Sequence, residues 1–126
     1  MKKIIETSHA PAPIGPYSQA VLFDGTLYTS GQIAIDPQSG KLISGDIKKE
    51  TEQVMNNIGA VLKEAGMDFQ NVLKTSIFIK DMNDFQKINE VYGSFFDEAS
   101  APARETVEVA RLPKDVNVEI SVLARK

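Results

Sequence analysis

Two amphipathic helical stretches set among short alternating strands predict an α+β fold of two layers. One mixed six-stranded sheet carries both helices on one face. Three observations support this. The elements read β-β-β-α-β-α-β-β along the chain. The length, 126 residues, suits one compact domain spanning residues 1–126. With only two helices, the second sheet face has nothing to cover it, although its strands carry Tyr, Val, Ile and Leu. An uncovered apolar face of that breadth marks an interface between copies, so a homo-oligomer is expected.

The strands and helices follow in order. Lys3 to Glu6 reads as a short first strand. The Pro-rich segment Ala10-Pro-Ala-Pro-Ile-Gly-Pro16 reads as an ordered extended arm. Val21-Leu-Phe and Leu27-Tyr-Thr flank Asp24-Gly25-Thr26, and Asp-Gly is a strong hairpin signal. The second of these strands is expected to run on through Ile33 and Ile35. Asp46 stands as an N-cap before Ile47, Thr51, Val54, Met55, Ile58, Val61, Leu62 and Ala65, whose steps of three and four mark a helix. Gly66 sits where a C′ glycine belongs. Val72 to Lys80 reads as a strand with Leu73, Thr75, Ile77 and Ile79 on one face. Asp81 to Asp84 caps a second helix whose inward stripe is Phe85, Ile88, Tyr92, Phe95 and Phe96. Finally, Pro102 to Ile120 reads as a hairpin turning at Leu112-Pro113-Lys114-Asp115. Alternation puts Arg104, Thr106 and Glu108 on one face of its first strand and Glu119, Ser121 and Leu123 on one face of its second. In that hairpin Arg104 and Glu119 meet across the ladder.

Composition excludes several function classes. The net charge of −3 argues against a nucleic-acid partner, because phosphate binding needs clustered positive charge. There is no cysteine, which removes disulfides, thiolate catalysis and zinc–sulfur sites. His9 is the only histidine, so no Ser/His/Asp set can be drawn, and no metal site is expected. There is no Gly-X-Gly-X-X-Gly and no Gly-Lys-Ser/Thr to cradle a phosphate. The start, Met-Lys-Lys-Ile-Ile-Glu, lacks an apolar signal core, and no apolar run approaches membrane-spanning length. A cytoplasmic protein is expected.

The candidate site residues follow from chemistry. A guanidinium beside a carboxylate can hold a small organic acid and take a proton from a water next to it, which singles out Arg104 and Glu119. Tyr17, after the Gly15-Pro turn, is placed to wall or close a pocket. Gly31, after Ser30 at a strand end, permits close approach to the backbone. Asn89 lies on the apolar face of the second helix between Phe85 and Tyr92, where a polar side chain needs partners; bracing is its expected role.

Gly15-Pro-Tyr17, Tyr28-Thr-Ser-Gly-Gln32, Phe78-Ile-Lys-Asp-Met82 and Pro102-Ala-Arg through Val118-Glu-Ile120 together resemble the RidA family of imine deaminases, also called the YjgF family. The resemblance runs almost end to end. It implies a chorismate-mutase-like fold, a homotrimer with sheets packed inward, and three pockets at subunit interfaces. It implies hydrolysis of 2-imino or enamino acids to 2-oxo acids and ammonia, in the manner of a 2-iminobutanoate/2-iminopropanoate deaminase, without a cofactor. By position, Arg104 would hold the substrate carboxylate and Glu119 would position and activate water. Gly31 would offer a backbone N–H, Ser30 and Asn89 would line the wall, and Tyr17 would close the pocket. At Thr106 many relatives carry cysteine, so only the backbone there is expected to act. The alternative reading is a module that binds a small carboxylate and regulates a partner protein.

Overall fold

The computed structural model describes all residues, Met1–Lys126. Six strands, β1 (Lys3–Ile5), β2 (Ala20–Phe23), β3 (Thr26–Thr29), β4 (Val72–Ile79), β5 (Ala103–Glu108) and β6 (Val118–Arg125), form one sheet in the order β1-β2-β3-β6-β4-β5. All neighbours are antiparallel except β4 and β5, so the sheet is mixed, as expected. The two helices are α1 (Ile47–Glu64) and α2 (Phe85–Gly93).

The local signals behind α1 all operate. Asp46 Oδ1 accepts from the N–H groups of Lys48 and Lys49 at 3.0 and 3.3 Å, satisfying two of the orphan donors of the first turn. At the other end Gly66 adopts φ +73°, and the N–H groups of Gly66 and Met67 reach back to the carbonyls of Lys63 and Leu62. That pair of bonds is a Schellman stop. Val54, Met55, Ile58, Val61 and Leu62 bury the apolar stripe of the helix against the sheet at β6 and against α2. α2 packs beside α1 over the same sheet face, where the Tyr92 hydroxyl donates to Thr75 Oγ1 of β4 at 3.1 Å. The core is this single layer between sheet and helices, and includes Leu27, Ile77, Ile79, Val118, Ile120 and Val122.

Three sequence expectations need correction. Pro102 to Ile120 is not a hairpin: β4 lies between β5 and β6, and β5 runs parallel to β4. The β4-α2-β5 segment is a crossover unit of the kind that joins parallel strands. The strand through Thr29 does not continue to Ile35. The chain leaves the ladder after Thr29, returns for one bridge between Gln32 and Ile120, and then turns, with the Ile35 N–H on the Ile33 carbonyl. Leu73 does not share the buried face of β4. The register shifts between Val72 and Lys74, and that bulge turns Leu73 outward to 52% exposure.

The second sheet face carries no helix. Ile4, Phe23, Tyr28 and Val107, all 41–50% exposed, lie on it with Leu123 and Phe78. Four half-exposed large apolar side chains on one flat face are the apolar surplus that the element count anticipates.

Candidate active site

The face on which each candidate residue lies decides the site. Thr75 pairs with Arg104 and Ile77 with Thr106, so Arg104 and Thr106 share the helix-covered face of edge strand β5. Phe78 pairs with Glu119, and Glu119 shares the open face with Ser121 and Leu123. Arg104 and Glu119 therefore lie on opposite faces of the sheet, two strands apart. The cross-ladder pair expected from a hairpin does not exist within one chain.

On the helix side, Arg104 is held by α2. One guanidinium nitrogen donates to Asn89 Oδ1, and the charge lies over the rings of Phe85 and Tyr92, at 5.6 and 5.2 Å from their centroids. Asn89 thus braces Arg104, and the two aromatics cradle it. The cradle was not anticipated; the helical spacing of Phe85, Asn89 and Tyr92 carried the signal. Burial raises the Tyr92 pKa, against the Thr75 hydrogen bond and the nearby Arg104 charge. Arg104 takes part in none of the four ion pairs of the chain, so its charge is uncommitted. It borders an open cavity of about 610 Å³ with Asn89, Tyr92, Phe96 and Pro102.

On the other side, Tyr17, Ser30, Gly31 and Glu119 converge on a second cavity of about 510 Å³. A bulge builds it. Tyr28 pairs with Leu123 but Gln32 pairs with Ile120, so the β3 side carries one residue more than β6. The Thr29 hydroxyl fills the gap in the ladder, accepting from the Val122 N–H at 2.9 Å and donating to its carbonyl at 3.2 Å. The Ser30 hydroxyl donates to the Ser18 carbonyl, and its N–H to the Gln19 carbonyl at 2.9 Å, which ties the bulge to the strand before it. Gly31 is then pressed against Glu119: a Cβ there would lie 2.7 Å from the carboxyl carbon. Only glycine leaves Glu119 its place. Burial raises the Glu119 pKa above the ordinary glutamate value, with no compensating cation. The Tyr17 N–H bonds the Gly15 carbonyl at 2.9 Å, and its hydroxyl accepts from the Ile14 N–H at 3.3 Å, which folds the half-exposed ring over its own loop at the cavity edge. The remaining walls, among them Pro11, Ile14, Ile33 and Pro113, were not singled out by sequence reasoning.

Thr106 lines neither cavity, and its hydroxyl is buried without a hydrogen-bond partner. Such a group costs stability of about 1–3 kcal/mol. Thr106→Val, which removes the hydroxyl at nearly constant shape, should raise the melting temperature by a few degrees, measured by calorimetry. A drop would show that the hydroxyl finds a partner in an assembly of chains. Glu105 points to the open face, where Ser76 and Lys74 hold its carboxyl below the ordinary value. Glu108 accepts from the Met82 N–H at 2.8 Å, a structural role. No group of three or more His, Cys, Asp or Glu side chains converges, and no helix is long and apolar enough to cross a membrane.

The result is a two-layer α+β protein that carries an aromatic-cradled arginine on one sheet face and a glycine-seated, desolvated glutamate on the other. Comparison with known proteins defines its family. Residues 7–126 match the family model described as endoribonuclease L-PSP. A RutC family protein of Synechocystis is 57% identical over 97% of this chain and 95% of its own length. The 2-iminobutanoate/2-iminopropanoate deaminase of Mus musculus is 49% identical over 98% of this chain and 91% of its own. Among solved structures, a Rid family protein from Yersinia pestis superposes with a TM-score of 0.97 at 49% identity, covering 100% of both chains. Escherichia coli TdcF with bound serine gives 0.92 at 45% identity, covering 98% of each. The chain belongs to the RidA/YjgF family.

Proposed function

We propose that this protein hydrolyses 2-imino acids, and their enamine tautomers, to 2-oxo acids and ammonia. The observation that carries the reading is the pairing of unspent groups. Arg104 is a fixed guanidinium with no carboxylate partner, and Glu119 is a desolvated carboxylate with no cationic partner. Relatives about half identical over nearly the whole chain are named imine deaminases, and one related structure holds serine, a small amino acid.

The two groups belong to different sheet faces, so one chain cannot close a site around a substrate of a few atoms. We place the site between two copies of the chain, with Arg104 from one and Glu119 with Tyr17, Ser30, Gly31 from the other, in a homotrimer whose uncovered sheet faces pack inward. The residue backbone at Thr106 would lie beside Arg104 in that site.

In this arrangement Arg104 holds the substrate carboxylate in its planar fork and thereby fixes C2. Glu119 accepts a proton from a water as the water oxygen bonds to C2, and the C=N π pair moves to nitrogen. The protonated Glu119 then returns the proton to the amino nitrogen of the tetrahedral intermediate. As Glu119 takes the hydroxyl proton, collapse to the C=O breaks the C–N bond and releases ammonia, and the proton leaves with it as ammonium. The iminium is its own electron sink, so positioning and proton transfer supply the rate gain. Burial, which raises the Glu119 pKa, makes it a stronger base and lets it hold the proton between the two halves of the reaction, while the neighbouring copy's Arg104 pulls that pKa the other way.

A regulatory module that only senses a small carboxylate would gain nothing from a carboxylate facing its ligand, and the net charge of −3 disfavours RNA as the substrate. A coupled assay tests the reading. An amino-acid oxidase generates the imine, and its decay is followed with and without this protein. Faster decay with stoichiometric 2-oxo acid is expected; an unchanged decay rate would overturn the reading.

A further inference from the structure

We propose that Glu50 is a positioning residue for this reaction, acting on Glu119 through the connection from Pro113 to Asn117; the inference rests on the imine-hydrolysis reading above. Glu50 sits in the first turn of α1 and is only 2% exposed, yet it belongs to no ion pair. Both its oxygens are spent on one residue. Oε2 accepts the backbone N–H of Asn117 and Oε1 its side-chain Nδ2, each at 2.9 Å. A carboxylate withdrawn from water is costly unless hydrogen-bonded, and a helix first turn favours negative charge. Those two facts explain how it survives there. They do not explain why both bonds converge on Asn117.

The position of Asn117 does. It is the residue before β6 and two before Glu119, and its carbonyl accepts from the Lys80 N–H at 3.0 Å. Its N–H, its Nδ2 and its carbonyl are therefore all held. The segment it terminates is strained: Lys114 and Asp115 adopt φ +54° and +56° in succession, a left-handed conformation that aspartate tolerates singly but that a lysine, and two residues in a row, avoid. Such a segment keeps its shape only when its surroundings hold it, and strain of this kind gathers at functional sites. Leu112 and Val116 are buried and anchor its ends. The Lys80–Asp115 pair at 3.2 Å is solvent-exposed and holds weakly. The Glu50 clamp is the buried polar tether. Pro113 and Lys114 line the same cavity as Glu119, and on the β3 side the start of β6 is supported by the Gln32–Ile120 bridge alone. Loosening the clamp would move the cavity wall and the Glu119 carboxylate together.

The test separates positioning from mere folding. Wild type, Glu50→Ala, Glu50→Gln and Asn117→Ala are compared by steady-state kinetics and by carboxyl-carbon NMR titration of Glu119, after circular dichroism has shown which are folded. Glu50→Ala should lower kcat by about 10²-fold, the cost of a displacement of about 1 Å at the reacting groups. Its KM should change less than about threefold, because carboxylate capture by Arg104 is untouched. The Glu119 titration should fall toward the ordinary glutamate value as the carboxylate gains water. Glu50→Gln keeps an acceptor for the Asn117 N–H and should recover most of the loss. Asn117→Ala keeps the backbone bond and should show a smaller change of the same sign, which decides the matter if Glu50→Ala does not fold. Wild-type kcat and an unshifted Glu119 titration in the folded variants would overturn the proposal. If wild type hydrolyses no imine, the functional reading falls by itself, and the Glu119 titration still decides whether the clamp sets that carboxylate.

Discussion

Glu119→Gln should lower kcat for imine hydrolysis by roughly 10²–10⁴-fold, the span that general-base catalysis usually supplies. The amide keeps the size of the side chain and its seat against Gly31, so what is lost is the base. Binding of a 2-oxo acid product should be unchanged or tighter, because a negative charge facing an anion is gone. The same substitution reports on burial. Desolvation raises the Glu119 pKa, so between the unfolded and folded values the native state binds more protons than the unfolded chain. Stability contributed by this group therefore falls as pH rises from the ordinary glutamate range through the raised value. Glu119→Gln should melt higher than wild type at neutral pH, with the difference vanishing at a pH below both values. Thermal melts across that range check the sign. Full deaminase activity in Glu119→Gln would leave the carboxylate without a chemical role.

Arg104→Ala should have an effect of similar size and a different kinetic form. It removes both the charge and the fork that orient C2, so KM should rise and kcat/KM should fall by two or more orders of magnitude, about the worth of one well-placed orienting group. Arg104→Lys keeps the charge and loses the bidentate plane, so carboxylate capture should weaken while remaining measurable. Calorimetry with 2-oxobutanoate separates the roles. Binding should be lost in Arg104→Ala and retained in Glu119→Gln, and the reverse pattern would exchange the assignments.

How much of this was legible in the sequence depended on whether the signal was local. Caps and periodicity are local, so Asp46, Gly66 and the apolar stripe of α1 were readable residue by residue. Alternation is local too, and it placed Arg104 with Thr106 and Glu119 with Ser121 correctly within their own strands. It does not say which strand lies next to which. Pairing β5 with β6 as a hairpin put Arg104 and Glu119 on one face, whereas the insertion of β4 put them on two. One warning was present: residues 109 to 117 separate the two strands, nine residues where hairpin loops have about two to five. The bulge at Thr29–Gly31 was invisible because it depends on the register of β3 against β6, some ninety residues away. The apolar alternation that runs on to Ile35 concealed it. The Glu50–Asn117 clamp was hidden for the same reason, as nothing near Glu50 marks a partner sixty-seven positions on. The uncovered sheet face was legible because counting helices against sheet faces needs no pairing.

Subunit mixing distinguishes a site shared between copies from one held within a single chain. Arg104→Ala and Glu119→Gln proteins, each expected to be nearly inactive alone, are mixed in equal amounts, dissociated and reassembled, with light scattering to follow the assembly. A site that takes Arg104 from one copy and Glu119 from its neighbour is intact wherever a Glu119→Gln chain supplies the arginine and an Arg104→Ala chain the glutamate. Random reassembly should restore about a quarter of the wild-type rate, by the symmetry of a closed ring. No recovery of activity from reassembled trimers, or a stable monomer that retains full activity, would contradict the shared site.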